Sequence, residues 1–482
     1  MDRPRLAIPV FNTMAARFLL HSPVLARLAA EPGIQAVFLS DQPEHADTLA
    51  ASGADHLAWR RLASPVEPAP GLTAGPWPRA GRRLAHRLWQ RATGRWAGFG
   101  NLVFRFNEIQ GFAGHRRKKL LPPDKLEREA LAGNHPDPRL GRPFPRSRLL
   151  LRLLYASYYS TWYSEPGVEA FCDQYRPHLL VLYHLQHPGL RPWLSAARRR
   201  RLPVLGIVGS WDQPTTKGPL CPGVESYAVQ SRRMASELVR LHGVDPSRVA
   251  VTGWPQMDPY RDPALVWERE RLCAEIGAEP ERALITLGAN SARLGAHEPS
   301  IAGRLAEWVA SGGPGRPATL VIRPHPKDGA WRERFGGLHR PPHCLVLPRE
   351  VGRLELLANL LRHSAALLAS SGSVLLDAVA LDTCAIGIAY DGDLEPPRHQ
   401  SIARAYEQDH YRPVVTSGGV RLARDHQSLL EAVAEALADP GRDAAGRAAL
   451  RAEHLEPLDG RASERLVWLI LARAFRAAAE AR

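Results

Sequence analysis

The apolar positions fall into short runs separated by amphipathic stretches. Arg5–Asn12 (RLAIPVFN) reads as a buried strand, Thr13–Ala30 as one amphipathic helix, and Gln35–Ser40 (QAVFLS) as a second strand. A β-α-β unit of this kind predicts a parallel sheet with helices on its faces. The rhythm breaks between about 63 and 147, where Pro, Gly, Arg and Trp dominate. It resumes with a helix near Leu149–Tyr175, strand His178–His184, helix Leu190–Arg200 and strand Pro203–Gly209. Glu225–Gln230 and Val249–Gly253 read as shorter strands around helix Arg232–Leu241. A second series follows Arg261, with strands Ala283–Leu287, Thr319–Arg323, Cys344–Leu347, Ala365–Ala369 and Cys384–Ala389. The tail, Leu430–Leu437 and Ser463–Ala479, reads as helical. The pattern predicts two Rossmann-like α/β domains facing a cleft, with a basic helical insertion in the first. Residues 1–258 would form one domain, with the insertion at 63–147. Residues 259–482 would form the other, ending in the helical tail.

In open α/β sheets ligands sit beyond the carboxyl ends of the strands, so the strand exits carry the candidate chemistry. Gly209–Gly218 (GSWDQPTTKG) leaves a buried strand with Ser210, Trp211, Asp212, Thr215 and Lys217. It is either a polar turn capped by Asp212 or a loop facing substrate. Val251–Tyr260 (VTGWPQMDPY) reads first as the interdomain linker. In Val321–Lys327 (VIRPHPK), Pro324 and Pro326 favour an extended backbone. Arg323, His325 and Lys327 would then share one side, as a cradle for a diphosphate or as a salt-bridge cluster. Leu368–Leu376 (LASSGSVLL) places Ser370, Ser371, Gly372 and Ser373 between a strand and a helix. That turn is an anion site or an ordinary helix cap. In Leu287–Ser291 (LGANS), Gly288 allows close backbone approach to a ligand beside Asn290, or simply makes a turn.

These segments, with the tail Glu456–Arg465 (EPLDGRASER), resemble the GT-B glycosyltransferase superfamily in their order and spacing. The resemblance is to bacterial surface-polysaccharide transferases and the CDP-glycerol glycerophosphotransferase group, and it covers mainly residues 178–470. It implies a metal-independent transfer of a sugar, or a polyol phosphate, from a nucleotide-activated donor to a cell-surface glycan or lipid-linked acceptor. No separate cofactor is implied. The second domain would bind donor through Gly288, Asn290, Arg323, His325, Lys327, Ser370, Ser371, Gly372 and Ser373. Asp377 stands where such folds place a carboxylate for the ribose hydroxyls, though Glu is more usual there. The general base would be Asp212 or His184. Arg17, Ser210, Trp211, Thr215 and Lys217 would face the acceptor. Gln213 and Pro214 depart from the expected Asn and Leu, and the 63–147 region has no counterpart.

The formal net charge is +14, and only five of the 63 basic residues are Lys. Residues 76–119 alone carry eleven basic residues against Glu108, hence +10 of that total. Arg83, Arg87 and Arg91 recur at helical spacing, with Trp77, Trp89 and Trp96 interleaved. Such a segment suits an anionic membrane surface, single-stranded nucleic acid, or a solvated insertion. With a lipid-linked acceptor, the membrane reading predicts a cytoplasmic enzyme peripheral on the inner face of the membrane. A nucleotide-sugar 2-epimerase on the same fold and a non-catalytic nucleic-acid-binding protein are the alternatives. The five scattered cysteines lack a C-x-x-C pair, which argues against a disulfide framework.

Overall fold

The computed structural model describes residues 3–62, 165–185, 188–216, 220–292, 294–350, 352–396 and 401–481. The predicted insertion at 63–147, its basic window 76–119, and Lys217 lie outside the described residues. The chain forms two compact units, Met1–Pro255 with Arg461–Arg482, and Gln256–Gly460.

The first unit carries a seven-stranded sheet. Its strands are β1 Arg5–Pro9, β2 Gln35–Ser40, β3 Leu57–Arg61, β4 Leu179–Tyr183, β5 Val204–Val208, β6 Ser226–Val229 and β7 Val249–Val251. They pair in parallel in the order β3-β2-β1-β4-β5-β6-β7. Every residue of β4 and β5 is buried. A parallel sheet covered on both faces requires such continuous apolar runs.

The second unit carries β8 Ala283–Gly288, β9 Ala318–Arg323, β10 Cys344–Val346, β11 Ser364–Ala369, β12 Cys384–Ile388 and β13 Val420–Ala423. The order is β10-β9-β8-β11-β12-β13, again all parallel. Counted within the unit this is 3-2-1-4-5-6, the Rossmann order. In each sheet the winding reverses beside its first strand, between β1 and β4 and between β8 and β11. Those two reversals are where ligands bind in open α/β sheets.

Three predictions need correction. The single helix Thr13–Ala30 is two, Thr13–Leu19 and Pro23–Ala29. Pro23 has no N–H to continue the first helix, so it starts the second, with Ser22 accepting from Val24 N at 3.3 Å. Strands β3 and β13 were not anticipated. Both are edge strands with mixed burial, so their hydrophobic pattern is weak. The helical tail is divided: Leu430–Leu437 lies in helix His426–Ala438 of the second unit, but the last helix does not belong to the second domain. Helix Ala462–Glu480 packs on the first unit, where Leu466, Ile470 and Ala474 join the apolar cluster of Leu6, Ile8, Leu28 and Phe38. Its stripe at four-residue spacing needs an apolar partner, and Val24, Leu25 and Leu28 of helix Pro23–Ala29 lie in that same cluster. Arg465 Nε secures the start of the helix on Thr252 O at 2.9 Å. Among the described residues no helix is long and apolar enough to cross a membrane.

The tail assignment predicts a sharp contrast between neighbours. Ile470 is fully buried and Trp468 is 69% exposed. Urea denaturation of the full chain should show a loss of about 2–5 kcal/mol for Ile470→Ala. Trp468→Ala should stay within about 0.5 kcal/mol. Equal effects would contradict the packing.

Candidate functional site

The exits of β8 and β11 meet at the second unit's reversal. Past β8, Asn290 is buried and its backbone N–H donates to both Glu298 oxygens, at 3.1 and 2.9 Å. Asn290 Nδ2 reaches Ser371 O and Ser371 Oγ at 3.4 Å, and Glu298 Oε1 at 3.3 Å. One amide side chain therefore joins the two strand exits. Glu298 opens helix Glu298–Ala310 and is fully buried. Arg334 lies 3.3 Å from it, is also paired with Asp328, and donates to Asn290 O at 2.8 Å and to Gly295 O.

The β11 exit is held from a second side. His297 Nε2 lies 2.8 Å from Ser370 Oγ, Tyr406 Oη donates to Ala369 O at 3.1 Å, and Gly372 N–H donates to Tyr411 Oη. Gly372 has φ +114°, a conformation that favours glycine. Ser371, Gly372 and Ser373 are half-buried, and Ser373 forms no side-chain cap on helix Val374–Ala380.

The first unit's exits carry a different chemistry. His184 follows β4 with φ 64°, an uncommon conformation for a residue with a side chain. Arg17 on helix Thr13–Leu19 has its Nε buried without a hydrogen bond. Tyr183 Oη donates to Gly209 O at 3.0 Å. Burial pushes the Tyr183 phenol up, Arg17 opposes that shift, and Asp212 adds to it. A Cβ on Gly209 would lie 2.0 Å from the Tyr183 ring, so the backbone can pass there only as glycine. Asp212 accepts from Ser210 Oγ at 2.6 Å and Thr216 Oγ1 at 3.1 Å, at the start of the short helix Gln213–Thr216.

Solved structures similar to the chain include a protein assigned as a UDP-N-acetylglucosamine 2-epimerase from Listeria monocytogenes. It shares 12% identity over 97% of this chain and 96% of that one, with a TM-score of 0.53. A glycosyltransferase from Rickettsia africae shares 9% identity over 98% and 99%, with a TM-score of 0.51. A UDP-N-acetylglucosamine 2-epimerase shares 13% over 98% and 96%, with a TM-score of 0.50. The architecture is the GT-B fold. No protein-family model matches the chain, and no curated protein matches it by sequence.

On this GT-B frame the predicted site residues separate. Asn290, Ser370, Ser371 and Gly372 come together at the β8–β11 reversal, beside Gly288 and Ser373. Ser370 turns inward, fully buried against His297. Asp377 is buried too, and Tyr260 Oη donates to its Oδ1 at 3.0 Å, so its carboxylate packs inside the unit. The extended cradle predicted for VIRPHPK stops at His325. Asp328 N donates to His325 O at 2.8 Å, and Pro326 and Lys327 form the intervening turn. Lys327 is exposed, and its N–H donates to His325 Nδ1 at 3.0 Å. Arg323 shares the sheet face of Val321 and lines a shallow cleft of about 460 Å³ with Glu275, Leu347, Glu350 and Arg353. In the first unit, Trp211 and Thr215 are buried.

Sequence reading missed His297, Glu298 and Arg334. His297 and Glu298 leave only the signal of polar residues at a helix start after a strand exit, and Arg334, near the end of helix Trp331–Phe335, leaves none. Burial pushes the Glu298 carboxyl up to about 7, against Ser370, Asn290 and Arg334, which favour its charged form. Burial pushes His297 down to about 4; Asp391 opposes the shift and Arg334 adds to it. Asp328 and Tyr406 complete the titratable surroundings. A raised carboxyl favours the folded state most below its unfolded value near 4.5 and loses that advantage as pH rises through about 7. A lowered imidazole favours the folded state most above 6.5 and loses that advantage as pH falls towards about 4. Melting curves against pH should therefore diverge. Glu298→Gln should lose less stability than the parent between pH 4.5 and 7 on the way up, and His297→Gln less between 6.5 and 4 on the way down. Parallel curves for all three proteins would refute the assignment.

Proposed function

We propose that the chain is a glycosyltransferase that takes a sugar, or a polyol phosphate, from a nucleotide-activated donor. The observation that carries the reading is the bond from Asn290 to Ser371 across the β8–β11 reversal. It makes one polar surface at the place where an open α/β sheet binds nucleotides. The donor diphosphate would lie along Ser371, Gly372 and Ser373, with Lys327 and His325 supplying cationic or hydrogen-bonding partners. These groups would stabilise the leaving diphosphate as charge develops on it.

The acceptor hydroxyl needs a base within hydrogen-bond reach. We assign that role to His184, which leaves β4 at the first unit's reversal in an uncommon backbone conformation, with Asp212 at the β5 exit as the other candidate. Arg17 would bind an anionic group of the acceptor, a glycan or lipid-linked saccharide. The proposal includes attachment to an anionic membrane surface through residues 76–119, which rests on their charge in the sequence. The similar structures named as 2-epimerases support nucleotide-sugar chemistry as the common theme and make epimerisation the second reading.

The test is a panel of UDP-, GDP-, CMP- and CDP-linked donors offered to the full chain. One class should raise the melting temperature and release nucleotide slowly by hydrolysis. Lys327→Ala should weaken that donor about tenfold, the loss of one charge-assisted hydrogen bond. His184→Ala should abolish transfer and leave donor affinity unchanged. Acceptor-free conversion of a UDP-N-acetylhexosamine would select the epimerase, and silence across all four classes would overturn both.

A further inference from the structure

Helix Glu298–Ala310 is attached to its sheet by an apolar face. Ile301, Ala302, Leu305 and Val309 are all buried in the cluster that also holds Ile285, Leu287 and Ile322. That contact is sufficient to seat the helix. The buried polar start adds nothing comparable, because taking a carboxyl and an imidazole out of water is costly even when they are paired. Yet both groups are directed at strand exits. Glu298 takes the Asn290 N–H on the β8 side, and His297 Nε2 pairs with Ser370 Oγ on the β11 side. The loop between them is shaped to the carboxyl. A Cβ on Gly295 would lie 2.2 Å from Glu298 Oε2. Arg334 clamps the same loop through Asn290 O and Gly295 O.

We propose that His297 and Glu298 are positioning residues that hold the β8 and β11 exits at one fixed spacing. Asn290 and the Ser371–Ser373 turn then meet a ligand as a single preformed surface. The inference rests on reading that surface as the donor site. Two adjacent residues, the cap and the first residue of one helix, set the distance between two strands, so neither exit can shift without breaking a buried hydrogen bond. Preorganisation of this kind spares the ligand the cost of ordering the loops.

The experiment uses the full chain, titrated with UDP, CDP and GDP by calorimetry, with amide hydrogen exchange followed in the ligand-free protein. Glu298→Gln and His297→Ala should each raise the dissociation constant of the nucleotide that binds, by about tenfold or more. Exchange should quicken in the stretches 286–292 and 368–374 and stay unchanged elsewhere in the second unit. Leu305→Ala is the control, since it loosens the apolar seat of the same helix; it should lower the melting temperature and leave affinity unchanged. Unaltered affinity and exchange in both polar variants would overturn the proposal, as would an equal loss of affinity in Leu305→Ala. If the parent protein binds none of the three nucleotides, the reading of this surface as a nucleoside-diphosphate site falls. The exchange rates then decide the positioning role by themselves.

Discussion

A parallel strand whose side chains are apolar on both faces has to be covered twice. Each sheet here meets that requirement with helices threaded between its strands, and the winding reverses once beside its first strand. The reversal leaves two neighbouring strand exits, with helices departing to opposite faces. Asn290, His297, Glu298 and the Ser370–Ser373 turn of the second unit collect there. Asn290 and the Ser370–Ser373 turn are 80 or more residues apart in the chain, and they touch because β8 and β11 are neighbours. The same geometry in the first unit places Arg17, Tyr183, His184 and Asp212 around the exits of β1, β4 and β5.

The two reversals differ in kind. The one in the second unit holds a buried carboxyl, a buried imidazole and an arginine shared between Glu298 and Asp328. The one in the first unit combines a half-buried arginine, a histidine in a strained backbone conformation and a phenol against a glycine. On the proposed reading, the second unit's reversal would face the nucleotide and the first unit's the acceptor hydroxyl.

Sequence reading succeeded where one local rule sufficed. Apolar runs marked nearly all central strands, because a fully buried strand has to be apolar throughout. It failed where the evidence was shared between distant segments. Leu57–Arg61 and Val420–Ala423 are sheet edges, so half of their side chains meet solvent and the pattern fades. Alternation along VIRPHPK put Arg323, His325 and Lys327 on one side, but the turn closed by Asp328 ends the extended chain at His325. Trp211 and Thr215 sit in a polar loop, yet both are buried, which a polar sequence does not announce.

The order of the central strands and their helices and the two-domain division into α/β units follow from the sequence by itself. Hydrophobic periodicity is a local property, and burial demands it. Only the tertiary structure decided which unit owns the tail helix, since its apolar stripe would fit any complementary face. Only it showed that Asp377 and Ser370 turn inward while Asn290 bridges the exits. Hydrogen-bond partners of buried polar groups come from wherever the chain folds back, and a residue's type does not say where that is.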